Sequence, residues 1–134
     1  MIIPNLLVTD DDAAFRTVLC EALGRRGFRV RAACDGQEAI DVIDSSCDDE
    51  ATRVHLALVD VHMPRMTGLD VMRHLQDVSL RPACVLMSAQ LDDEIQQEAV
   101  RMHAYRVLSK PIRLHELSEV VCTALSELYG WRSA

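Results

Sequence analysis

Several short apolar runs in this chain stop on residues that can do chemistry. The run "LLVT" leads into Asp10, Asp11 and Asp12, "LALV" into Asp60, "CVLM" into Ser88 and "RVLS" into Lys110. Lys110 is also the single lysine among 14 Lys and Arg positions. A compact ammonium on a flexible stem does what a planar guanidinium cannot, so its place between Ser109 and Pro111 asks for a reason. Clustered carboxylates repel one another, and a hard divalent cation such as Mg²⁺ relieves that repulsion. It takes one or two carboxylates together with phosphate oxygens and waters. A carboxylate with a pKa near ~4 is ionised at neutral pH and is a nucleophile that needs no general base. Attack on a phosphoryl group would give an aspartyl phosphate, whose oxygens need counter-charges and donors. A metal supplies one, Lys110 a second and the Ser88 hydroxyl a third.

Such convergence requires a scaffold that brings these positions to one edge. Apolar runs at 5–9, 54–59, 83–88 and 105–109, with a strictly alternating one at 28–33, read as five strands. Between them lie helical patterns. Phe15, Val18, Leu19, Ala22 and Leu23 form one stripe, stopped near Gly24 and Gly27, and "GQEAIDVIDSS" follows at 36–46. Leu69, Met72 and Leu75, then Leu91, Ile95, Ala99 and Met102, and finally Leu114, Leu117, Val121, Leu125 and Leu128 mark three more. Five βα units predict an α/β fold, a doubly wound five-stranded parallel sheet with helices on both faces. Strands 5–9, 54–59 and 83–88 are nearly all apolar, as strands covered on both faces must be. Arg29, Arg31 and Arg106 push the other two to the edges, giving the order 2-1-3-4-5 of flavodoxin-like sheets. All strand C-termini then share one edge, and ligand chemistry sits outside it.

Length and composition restrict the function. The 134 residues make one domain, 1–134, 49% hydrophobic and 26% charged, able to bury a core unaided. No apolar stretch approaches the ~20 residues of a bilayer span, and "MIIPNLLVTDDD" lacks a basic leader, so neither membrane nor signal peptide is expected. Five widely spaced cysteines without a CxxC fit reduced thiols and a cytoplasmic location. A net charge of −7 argues against direct nucleic-acid binding by the domain. The acidic "SSCDDEATR" at 45–53 reads as a solvated loop.

"LLVTDDDAAFR", "LALVDVHMPRMTGLDVM", "VLMSAQ" and "VLSKPI" together resemble the motifs of response-regulator receiver domains of two-component signalling, over residues 5 to 128. The resemblance implies that Asp60 is the phosphoacceptor. It implies Mg²⁺, with Mn²⁺ as a substitute, held by Asp10, Asp11, Asp60 and the backbone carbonyl of His62, with Asp10 acting mainly through water. Ser88 and Lys110 would hold the phosphoryl group, and the Lys110–Pro111 peptide would be cis. The implied partners are a sensor histidine kinase or phosphotransferase upstream and a downstream protein or output domain. The resemblance further implies a signalling phosphoacceptor limited to self-phosphorylation and autodephosphorylation, not an enzyme acting on an external substrate.

This chain departs from that pattern in places. Val107 stands where the family commonly has Tyr or Phe as a switch, His103 where it usually has Gly, and Ser88 where Thr is commonest. His62 and Gln90 hold positions that in the resembled family tune how fast water reaches the acyl phosphate. Tyr105, two residues before Val107, is the expected substitute switch by period-two geometry. Other readings compete. Asp12 reads as a helix cap. A haloacid-dehalogenase-like phosphatase would want a second Asp where His62 stands, and usually a cap domain. A pseudo-receiver that only binds partners would not need the intact acids and Lys110. A flavin-binding domain of this fold would want a Ser/Thr/Gly-rich phosphate loop in place of Asp10–Asp12. His55, His74, His103 and His115 read as surface residues, His62 as an exposed loop residue, and the methionines and cysteines as core filler.

Overall fold

The computed structural model describes residues 3–132. Elements alternate along the chain: β1 (Asn5–Thr9), α1 (Ala13–Arg25), β2 (Arg29–Ala33), α2 (Gly36–Ser46) and β3 (Leu56–Asp60), then α3 (Gly68–Leu75), β4 (Ala83–Ser88), α4 (Asp93–Arg101), β5 (Arg106–Ser109) and α5 (Leu114–Tyr129). All strand pairs are parallel, in the order β2-β1-β3-β4-β5. The doubly wound reading holds.

Period-two geometry divides the central strands between two cores. Leu7, Ala57, Val59 and Leu86 face α2, α3 and α4, where they meet Ile40, Ile43, Val71, Met72 and Leu75. Leu6, Val8, Leu56, Leu58, Val85 and Met87 face α1 and α5, against Leu19, Leu23, Leu117, Val121 and Leu125. Every residue of β1 and β3 is buried, whereas Arg29 and Arg31 of β2 and Arg106 of β5 are exposed. That is the edge placement argued from the arginines.

Side chains begin most helices. Asp12, Asp35 and Asp92 each accept a backbone N–H three residues on, and Thr67 with Asp70 forms a capping box at α3. Gly130 ends α5 in the left-handed region at φ 68°. Asp12 is thus the cap it was expected to be. His103, expected to stand where the resembled family usually has Gly, adopts φ 64°, the left-handed region that favours glycine.

Several expectations fail in detail. Val18 lies on the expected apolar stripe of α1 but is 48% exposed, outside the face that α5 covers. Cys34 is exposed and is not core filler, though Cys84 is buried and all five thiols are free. The 45–53 stretch is not wholly solvated, because Ser46 and Arg53 are buried. Arg53 donates to the Arg81 carbonyl and the Tyr129 hydroxyl.

His55 is the clearest correction, since it is 1% exposed rather than on the surface. Its Nδ1 accepts the Asn5 N–H at 2.9 Å, while its carbonyl accepts the Tyr129 hydroxyl at 2.7 Å. The ring is therefore committed to neutrality, because protonating Nδ1 breaks the bond to Asn5. Burial pushes the imidazole below its ordinary pKa and the Arg53 charge adds to this, against an opposing pull from Glu50. A depressed folded pKa means the unfolded chain takes up this proton first as pH falls below about 6.5. His55 therefore contributes stability that is present above that pH and lost below it. Wild type is expected to lose more unfolding free energy between pH 7 and pH 5 than His55→Gln, measured by urea denaturation at both pH values. Equal losses would contradict the buried, neutral assignment.

Candidate functional site

The strand ends bring the acids and the lysine together as the parallel sheet requires. Asp10 follows β1 and is fully buried; Asp60 is the last residue of β3, paired with Met87, and is 4% exposed. The sequence put β3 at 54–59, two residues early at its start and one short at its end. Asp11 is exposed beside them, and one ligand oxygen from each of Asp10, Asp11 and Asp60 lies within 4.8 Å of the others. Carboxylates this close, two of them out of water, call for positive charge.

Lys110 supplies it in this structure. Its Nζ donates to Asp10 Oδ2 at 2.7 Å and lies 3.6 Å from Asp60 Oδ2, with the Phe15 ring 4.8 Å below. The Lys110–Pro111 peptide is cis, and the Lys110 N–H donates to the Ser88 carbonyl at 2.8 Å. Burial pushes the ammonium pKa down, yet the Asp10 hydrogen bond and the Asp60 and Asp10 charges outweigh it, so the net shift is upward. Asp60 shifts upward too, through burial first and then the neighbouring Asp10 charge, with Lys110 opposing. A carboxylate held ionised against burial and a like charge is more basic, hence a better nucleophile, than one in water.

The remaining contacts fix the mouth of the site. Asp10 Oδ1 accepts the Asp12 N–H, and Asp60 Oδ1 accepts the His62 N–H at 3.3 Å. Ser88 is fully buried, and its Oγ accepts the Gln90 N–H at 3.2 Å. Helix α4 is capped by Asp92 and not by Ser88, which leaves the Ser88 hydroxyl for the site. Gly68 packs so tightly under the end of β3 that a Cβ there would sit 2.6 Å from the Asp60 carbonyl oxygen.

Two side-chain contacts of the site are not legible in the sequence, one from Arg16 and one from His62, a residue expected there only through its carbonyl and its position beside the acyl phosphate. Arg16, on the first turn of α1, donates from its guanidinium to the Asp10 carbonyl at 2.6 Å and fixes the acidic turn from behind. Its signal was its position six residues after Asp10 at the start of an amphipathic helix. The His62 ring is the other. His62 is exposed, as read, but its Nε2 lies 2.8 Å from Ser88 Oγ, so the side chain joins the site. The expected shared face of Tyr105 and Val107 is not found. Tyr105 precedes β5, packs on the α1–α5 side and donates its hydroxyl to Glu127 at 2.7 Å, whereas Val107 packs on the opposite core.

The family model described as response regulator receiver domain matches residues 6–122. The chain belongs to the response-regulator receiver domain family. Among curated relatives, this receiver domain is 33% identical over 120 residues to the positive alginate biosynthesis regulatory protein of Pseudomonas aeruginosa, covering 87% of this chain and 45% of that protein. It is 32% identical over 115 residues to the transcriptional regulatory protein CpxR of Escherichia coli, covering 84% and 45%. The receiver domain therefore spans less than half of these relatives. Among solved structures, the response regulator receiver protein from Pseudomonas putida superposes with a TM-score of 0.80 at 26% identity, covering 90% of this chain and 97% of that one. A CheY-like receiver domain from Methanospirillum hungatei shares the fold, with a TM-score of 0.83 at 22% identity over 93% and 95% of the two chains. None of the described helices is long and apolar enough to cross a membrane.

Proposed function

We propose that this receiver domain, residues 1–134, accepts a phosphoryl group on Asp60 from a histidine kinase or phosphotransferase and switches conformation to control a partner or output domain. One observation carries the reading: three carboxylates and the single lysine meet at the sheet edge, with Lys110 Nζ 2.7 Å from Asp10 and 3.6 Å from Asp60. Asp60 attacks phosphorus, a bond forms between its carboxylate oxygen and the phosphorus, and the bond to the donor breaks with its electron pair leaving on the donor. Lys110 and the Ser88 hydroxyl then neutralise and bond the new phosphoryl oxygens. Water attack on the same phosphorus returns the carboxylate and free phosphate.

The donor set fits a hard divalent ion. Asp10, Asp11, Asp60 and the His62 carbonyl are all oxygens, and the carboxylates repel one another without a cation. We assign Mg²⁺, with Mn²⁺ as substitute, to these residues, where it supplies positive charge to the phosphoryl oxygens. Lys110 would then be relieved of Asp10 and freed for the phosphoryl group. The chain covers less than half of relatives named as regulatory proteins, which supports an output on another domain or a separate partner. The widely spaced cysteines, all free thiols, support a cytoplasmic location.

The test is phosphorylation by acetyl phosphate with and without Mg²⁺, read by intact mass. Metal-dependent uptake of one acid-labile phosphate is expected; metal-independent uptake, or none, would overturn the reading. Within this test, Asp11→Ala is expected to lose Mg²⁺ binding and slow phosphorylation at least ~10-fold, while Asp12→Ala keeps both and loses only helix-cap stability of ~1 kcal/mol. Equal losses from the two variants would mean the acidic run acts as a block.

A further inference from the structure

We propose that the His62 imidazole is a latch that ties up the Ser88 hydroxyl in the unphosphorylated domain and must let go before that hydroxyl can hold a phosphoryl group. The inference rests on the phosphoacceptor reading and goes beyond it by naming what keeps the site in its resting state. A serine hydroxyl has one proton to give and two lone pairs to share. On Ser88, one lone pair takes the Gln90 N–H at 3.2 Å, and the imidazole Nε2 stands 2.8 Å away. If the hydroxyl donates to Nε2, its only proton is spent; if Nε2 donates, both lone pairs are filled but the proton stays free. The latch is the tautomer protonated on Nδ1: there a phosphoryl oxygen on Asp60, which can only accept, takes the hydroxyl proton only after the ring lets go.

The latch is anchored on the acceptor's own loop. The His62 backbone N–H donates to Asp60 Oδ1 at 3.3 Å, while its ring reaches across to β4, 26 residues on in sequence. One residue thus reports both the acceptor carboxylate and the phosphoryl-binding hydroxyl. Because His62 is exposed, a released ring moves into water at little cost, whereas Ser88, fully buried, has nowhere else to turn. Val107 cannot vacate or fill space as an aromatic ring does, and Tyr105 is bound to Glu127. Release of His62 is therefore the first conformational event that capture of the Ser88 hydroxyl forces, and it appears on the surface of the β3–α3 loop.

Breaking one ordinary hydrogen bond on ligand capture weakens binding by about two- to tenfold. The experiment titrates Mg²⁺ and beryllofluoride, an inert stand-in for the phosphoryl group, into wild type, His62→Ala and His62→Phe, following the Gln90 amide by NMR. Alanine removes ring and bond; phenylalanine keeps the bulk and removes only the bond. Both variants are expected to bind about fivefold more tightly than wild type. Unchanged or weaker binding in either overturns the latch, because then the ring hinders nothing, acts by bulk alone, or helps to hold the ligand. A second readout needs neither metal nor phosphoryl analogue. In the free protein, Ser88→Ala is expected to move the His62 ring nitrogen resonances to those of a solvated histidine, and unmoved resonances would also overturn the latch. A wild type that ignores beryllofluoride altogether would overturn the phosphoacceptor reading instead, while the ring resonances still decide whether the bond to Ser88 exists.

Discussion

Asp60→Asn is expected to take up no acid-labile phosphate from acetyl phosphate and, in the absence of metal, to melt at a higher temperature than wild type. The first effect is chemical: a carboxamide is nearly isosteric with a carboxylate but a far poorer nucleophile. The second follows from charge. Asp60 is 4% exposed, and burial together with the Asp10 charge raises its pKa above that of a free aspartate. A raised folded pKa means that at neutral pH the ionised form is held at a cost the unfolded chain does not bear. That cost disappears as pH falls through the range in which the folded carboxyl takes up its proton. The amide removes it at every pH. Lys110 retains its 2.7 Å bond to Asp10, so the substitution strands no ammonium. A rise of a few degrees at pH 7, shrinking towards pH 4, is the expected result of thermal melts. A less stable variant at pH 7 would contradict the electrostatics of the site, and phosphorylation at the wild-type rate would contradict the acceptor.

Gly68→Ala is expected to cost about 2–3 kcal/mol and to disable the acceptor without touching a charged group. The first residue of α3 lies directly beneath the end of β3. Its N–H donates to the Val61 carbonyl at 3.0 Å, and an added Cβ would meet the Asp60 carbonyl oxygen at 2.6 Å and the Val61 Cα at 3.0 Å. Those neighbours are backbone and cannot rotate away. Either α3 lifts from the sheet or the Asp60–Val61 peptide moves, and the carboxylate moves with it. A displacement of ~1 Å at a reacting atom costs about 100-fold in rate. Urea denaturation reads the stability loss, and acetyl phosphate uptake reads the displacement. A variant as stable and as reactive as wild type would mean that the α3 start is not packed on the acceptor.

The architecture was legible because its signals are local and redundant. Leu6, Leu7 and Val8 read as a strand covered on both faces, and they do face both cores. Arg29, Arg31 and Arg106 excluded their strands from the centre, which fixed the order. Asp10, Asp60, Ser88 and Lys110 converge because parallel strands end on one edge, so no knowledge of side-chain conformation was needed to place them there.

What could not be read depends on contacts between distant residues. Lys110 meets Asp10 across 100 positions, and His62 meets Ser88 across 26, with no periodicity linking either pair. His55 belongs to no motif and reads as a scattered surface residue, yet its buried ring satisfies the Asn5 N–H at the start of the sheet. Alternation puts Tyr105 on the face of Val107, but alternation holds only inside a strand, and β5 begins at Arg106. One residue outside the ladder was enough to turn its ring to the other core.

Borohydride reduction of the protein freshly phosphorylated by acetyl phosphate and Mg²⁺, followed by peptide mass spectrometry, tests the central claim most directly. The reagent converts an aspartyl phosphate to homoserine at the residue that carried it. Homoserine is expected at position 60 and nowhere else, and is absent when Mg²⁺ is withheld; homoserine at position 10 or 11, or no conversion at any aspartate, would rule out Asp60 as the phosphoacceptor.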